Sequence, residues 1–196
     1  MLSPFVALSL YSLLVPAAFA ARPADCRGLP QNLRVDRDLR PVVTEMLAHS
    51  RTLRAQCQRI AASSATRVSV VLATSQMDAA TRARSIARRY GSGLLVIEVQ
   101  LPPASRDLAE LLAHELEHVT ELIDGVDFRA RAKVPGAGVF ASGPNGSFES
   151  DRARNAGIAA AAEVGAQSGR APAAAAQRIG RVWRAVARFA RAPFRR

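Results

Sequence analysis

From Ser105 to Gly125 the residue order leaves little choice of local structure. Leu108, Leu112, Leu116, Val119 and Ile123 fall in one narrow sector when the segment is wound at about 100° per residue, so it reads as a helix with an apolar stripe for a core. Asp107 is well placed in its first turn, and Gly125 suits its end. His114 and His118 project from a separate face, about 40° apart around the axis, with Glu115 between that face and the stripe. The stretch reads His114-Glu115-Leu116-Glu117-His118, and it holds two of the chain's three histidines.

The rest of the chain must supply a partner for that stripe. With 196 residues, 49% of them apolar, it has enough material for one domain with a hydrophobic core. A helix is expected from about Asp38 to Ile60, with Pro41 in its first turn. Arg67–Ala73 is β-branched and reads as a strand. Residues 78–90 read as a helix ended by Gly91, and the apolar run from Gly93 to Gln100 as a second strand, stopped by Pro102 and Pro103. Residues 124–147 read as loop, four glycines and two prolines crowding residues 135–146. Another helix is expected from Ser147. This order predicts an α+β fold, a small mixed or antiparallel sheet packed with helices, over residues 21–168.

The His pair has two readings. As chemistry, two imidazoles at i and i+4 reach one ion, and catalytic zinc takes three protein ligands and a water. A Glu directly after the first His then faces that water and can act as its general base. As plain structure, Glu115, Glu117 and Glu121 also suit a solvated helix face, and so short a motif also arises by chance.

With a strand before this helix and an acid on the segment after it, the chain resembles the compact HExxH zinc metallopeptidases of the gluzincin type over roughly residues 93–164. The resemblance implies a zincin-like domain hydrolysing a peptide or protein substrate with Zn2+. His114 and His118 would be ligands, Glu115 the general base, and Glu149 the third ligand, on a helix following the motif helix. The strand Gly93–Gln100 would hold an extended substrate at a sheet edge, and the Gly-rich segment 135–146 would be a mobile lid. Ala153, Ala156 and Ala160 share the expected helix face of Glu149 and would let two helices approach. Asp124, ten residues after His114, is a rival third ligand by the spacing of metzincin-type sites, or a residue behind a ligand. Those sites want Gly where Glu121 stands and a downstream Met-turn, and no Met follows Met77. The gluzincin pattern is broken in two places. Ala153 stands where a second acid is usual, and no His or Tyr follows His118 to hold an oxyanion; Arg152 or Asn155 could substitute.

Export is expected as well. Residues 1–20 read as a signal peptide, cleaved after Ala18-Phe19-Ala20, giving a periplasmic or secreted protein; an uncleaved anchor is the alternative. In that compartment Cys26 and Cys57 would pair as a disulfide, two buried thiols being the alternative. The net charge of +11 comes almost wholly from arginine, Lys133 being the only lysine, and it points to no specific nucleic acid. Residues 169–196 read as a basic amphipathic helix, suited to an anionic membrane surface or to packing on the domain.

Overall fold

Thr66–Leu72 and Leu95–Leu101 lie side by side as the inner strands of a four-stranded sheet. The structure, a computed structural model, describes residues 26, 28–73, 82–103, 107–142 and 146–168. In chain order the sheet comprises β1 (Leu33–Val35), β2 (Thr66–Leu72), β3 (Arg84–Arg89) and β4 (Leu95–Leu101). Across the sheet the order is β1-β2-β4-β3. β1, β2 and β4 run parallel, and β3 is antiparallel to β4, so the sheet is mixed.

Side chains alternate across a strand. Thr66, Val68 and Val70 of β2 and Leu95, Ile97, Val99 and Leu101 of β4 are buried on one face. Arg67 and Glu98 point the other way and are exposed. The buried face is covered by α1 (Arg40–His49), α2 (Arg51–Ala61) and α3 (Leu108–Ile123). Each large aliphatic side chain buried there stabilises the fold by roughly 1.5–3 kcal/mol, which fixes the stripe of α3 against the sheet. α3 closes as the sequence suggests. Gly125 takes φ 78°, its N–H donates to the Leu122 carbonyl and that of Val126 to the Glu121 carbonyl, the paired bonds of a Schellman cap.

Several expectations are corrected. Residues 84–89, expected as helix, are strand β3, and residues 74–81 lie outside the described residues. The Ala/Arg-rich composition favours helix, but a tight hairpin overrides it. Gly93 N–H donates to the Tyr90 carbonyl and Tyr90 N–H to the Leu94 carbonyl, and Gly93, at φ 80°, supplies the left-handed residue the turn needs. β1, three residues long, is too short to show a period in the sequence. The single helix over 38–60 is two helices. Ser50 is extended (φ −106°, ψ 119°) and its Oγ accepts from Leu53 N–H, so it caps α2. The segment 124–147 contains α4 (Phe128–Arg131) and β5 (Val139–Ser142). β5 pairs with β6 (Ser147–Ser150), where a helix start was expected; α5 (Asp151–Ser168) follows. The expected signal segment and the basic segment 169–196 lie outside the described residues. Among the described residues no helix is long and apolar enough to cross a membrane.

Cys26 and Cys57 are both buried, in hydrogen-bonding contact, as free thiols rather than the expected disulfide. Burial first, and the contact with Cys26 second, push the Cys57 thiol well above its ordinary range.

α5 is tied to the break between α1 and α2 by one carboxylate. Glu163 accepts from Ser50 Oγ at 2.6 Å, Arg51 Nε at 2.8 Å, Thr52 N–H at 3.1 Å and Thr52 Oγ1 at 3.2 Å. Burial opposes its charge, but these donors outweigh it and hold its pKa below the usual carboxylate value. Glu163→Ala should lower stability by about 1–2 kcal/mol, the scale of a lost N-terminal cap with its charge. Urea denaturation of the variant beside wild type measures it, and an unchanged midpoint would show the network to be inert.

Candidate metal centre

His114 and His118 leave α3 one turn apart, with ring centroids 4.9 Å apart. Glu149 meets them from β6. Its Oε2 is 3.0 Å from His114 Nε2 and 3.9 Å from His118 Nε2. One ligand atom from each residue lies within 4.8 Å of the others, so the group could hold a metal ion.

The state of His118 is the sharper observation. The residue is 8% exposed, and its Nδ1 lies 3.1 Å from Glu121 Oε2. A carboxylate only accepts, so in the neutral imidazole this contact places the proton on Nδ1. Nε2 then carries a lone pair, and it is buried with no hydrogen-bond partner among the described residues. A buried acceptor left unmatched costs about 1–3 kcal/mol. A metal ion shared with His114 and Glu149 would satisfy it, so the residues present fit such an ion.

Glu121 is 2% exposed and accepts a second bond, 2.9 Å from Ser150 Oγ. Ser150 Oγ in turn accepts from Ala153 N–H at 3.0 Å, capping α5. A continuous chain of bonds therefore runs from His118 through Glu121 to the start of α5, and Glu149 directly precedes that cap. Phe128 of α4 covers the His118 ring edge-on at 5.5 Å, and Phe148 stacks on Phe128 at 6.3 Å.

Close approach of α5 to α3 is needed for this chain. Ala153, Gly157 and Ala160 face α3 and are buried, and a Cβ at Gly157 would lie 2.9 Å from the Glu110 carbonyl oxygen and 3.4 Å from His114 Cβ. The expected small stripe exists, but with Gly157 in place of Ala156 and on a helix that Glu149 precedes.

Glu115 is 5% exposed and accepts from Ser85 Oγ of β3 at 2.6 Å. Burial raises its pKa; the Ser85 bond and both histidines oppose this without cancelling it.

Asp124 belongs elsewhere. It pairs with Arg59 and lies 3.7 Å from Arg152, so the rival ligand assignment is not what the structure brings together. Arg152, considered for an oxyanion role, is held by Glu117 at 2.6 Å, and Glu117 also accepts from Gln56. Asn155 is exposed on α5. Glu121, Ser150, Ser85 and Gly157 were missed in the sequence. Only Glu121 left a signal there, since it lies one helical turn after His118.

Comparison with known protein families, characterised proteins and solved structures finds no match.

Glu121→Gln keeps shape but removes the charge behind His118, and metal affinity should fall about 10–100-fold in a chelator competition titration; an unchanged affinity would show that Glu121 does not support a ligand.

Protonation competes with any metal. Burial disfavours a charged His114, but the hydrogen bond and charge of Glu149, with Glu115 and Glu110, outweigh it and raise its pKa above 6.5. Burial likewise disfavours a charged Glu149, but His114 first and His118 next hold its pKa below 4.5. A raised His contributes stability that is full below 6.5 and is lost as pH rises through its folded value. A lowered Glu contributes stability that is full above 4.5 and is lost as pH falls through its folded value. In metal-free protein the pair should therefore stabilise most between 4.5 and 6.5, while metal binding weakens across that window because the proton occupies His114 Nε2. Thermal melts of metal-free wild type and His114→Ala, with metal titrations at each pH, check both halves; parallel pH profiles for the two proteins would contradict the first.

Proposed function

We propose that the chain is an exported zinc peptidase with a zincin-like site, in which His114, His118 and Glu149 hold the ion and Glu115 is the general base. The unpartnered Nε2 of His118, turned toward His114 and Glu149, carries this reading. Two imidazoles and one carboxylate are a donor set typical of catalytic zinc, which keeps its fourth position open. A zinc ion held by His114, His118 and Glu149 would supply Lewis acidity and a water made more acidic.

The chain's own groups do the rest. Glu115 follows the first ligand and is held by Ser85, so its carboxylate stands beside the site rather than in the ligand set. It takes the proton of the attacking water and returns it to the leaving amine. Burial raises its pKa, which makes it a better base than an exposed carboxylate while its bond to Ser85 fixes its position.

Substrate pairing falls to β3, not to the strand first expected. β4 lies between β2 and β3 and has no open edge. The Tyr90–Leu94 bond sets the alternation on β3. Arg84, Ile86 and Arg88 bond to β4, and Ser85, Ala87 and Arg89 turn their N–H and C=O groups outward. An extended peptide adding there would pass the Ser85–Glu115 contact.

One observation favours a second reading, a metal-binding relative that does not turn over. Arg152 is engaged by Glu117, which leaves the site without the oxyanion donor it would have offered.

Glu115→Gln should retain zinc and melting temperature and lose about 10²–10⁴-fold in hydrolysis of an unfolded protein, while His118→Ala should lose the zinc. Metal analysis and a chelator-sensitive cleavage assay measure both. Loss of zinc from Glu115→Gln would make Glu115 a ligand and end the general-base assignment; a zinc-loaded wild type that cleaves nothing would establish the second reading.

A further inference from the structure

The open edge of β3 is basic in a patterned way. Arg84, Ile86 and Arg88 share one face of the strand, and Ser85, Ala87 and Arg89 the other. The second face is the one that looks toward α3, since Ser85 Oγ reaches Glu115. Register agrees, for Ser85, Ala87 and Arg89 sit opposite the buried residues Val99, Ile97 and Leu95. Arg89 is thus on the same face as the general base, four residues along, a distance of about 13–14 Å.

Neighbouring arginines are occupied. Arg82 pairs with Asp107 and Glu110, and Arg84 donates to Gln100. Among the described residues Arg88 and Arg89 have no such partner. Both are exposed. Charge on an open edge also discourages pairing between copies of a chain, and either face would serve that purpose. Arg89 differs in that its backbone N–H and C=O and its side chain all present themselves to a strand laid along β3 beside Glu115.

We propose that Arg89 makes the site selective for acidic peptides, by meeting an Asp or Glu four residues from the substrate residue that pairs with Ser85. This rests on the peptidase reading of the site. In a strand added to β3, residues directly opposite one another are neighbours. The partner of Ser85 lies at the reacting end, and the partner of Arg89 lies four positions away on the same face. Arg88, on the opposite face, would contribute only to the general attraction for negative charge.

A walk of one residue along a fixed peptide tests this. The zinc-loaded mature chain with Glu115→Gln, which should bind without cleaving, is titrated with fluorescent twelve-residue peptides. Each is built of Val, Thr and Gln and carries a single Glu at a different position. Glu at one position should tighten binding about two- to fivefold, the scale of an exposed ion pair. The preference should shrink at high salt and vanish in Arg89→Gln. In Arg89→Glu it should pass to Lys at the same position. Arg88→Gln should leave the position unchanged. Melting temperatures should be unaffected, because Arg89 is exposed and has no ion-pair partner among the described residues.

A flat walk with zinc-dependent binding of every peptide would overturn the Arg89 assignment and leave the peptidase reading intact. A preference that survives Arg89→Gln would overturn it equally. No binding of any peptide, whatever its charge, would overturn it together with the edge-strand reading on which it rests.

Discussion

The carboxylate of Glu121 is buried between α3 and α5 and accepts from His118 Nδ1 on one side and Ser150 Oγ on the other. A buried charge is tolerable only when donors surround it, so these contacts constrain one another. The bond to Nδ1 fixes the tautomer of His118 and leaves Nε2 facing the candidate metal position. The bond to Ser150 fixes the start of α5, and the residue before Ser150 is Glu149. One acid therefore orients one candidate ligand directly and positions a second through the backbone.

That chain of bonds requires two helices at short range. Gly157 permits it, since any Cβ there would press on the Glu110 carbonyl. At its far end α5 is held by Glu163, which satisfies the exposed start of α2. The ends of α5 thus meet two different polar problems: a buried carboxylate at its beginning, and unbonded amides of another helix near its close. Packing of small residues lies between them. Separation of α5 from α3 would disturb the candidate centre before it disturbed the sheet, whose own core is aliphatic.

The sheet relates to the site through its edge. Because β3 turns back antiparallel on β4, the open edge lies beside α3, and Ser85 reaches Glu115. A parallel fourth strand would have needed a long crossover, while the five-residue connection over Tyr90–Leu94 suffices here. The same hairpin that overturned the helical reading of residues 84–89 supplies both the edge and the hydroxyl that holds the proposed base.

Residue order alone determined α3. Its stripe, its glycine stop and its His face are local properties with a period of 3.6, and β2 and β4 were likewise legible locally, from β-branched content and an apolar run stopped by prolines. The convergence of His114 and His118 was equally legible, because a helix carries i and i+4 on one side whatever surrounds it. Glu149 was legible as a nearby acid but not as a strand residue. Its four-residue strand gains its bonds from β5, across a connection that no local period records. β3 was misread for the same reason: arginine and alanine favour helix unless a partner strand overrides them. Asp124 and Glu149 were rivals on spacing, and only tertiary structure separated them, by placing Arg59 against one and the two histidines against the other. Glu121 became more than another charged position only when α5 brought Ser150 to it. Local periodicity fixes what each helix face offers; which faces meet depends on contacts between residues far apart in the chain.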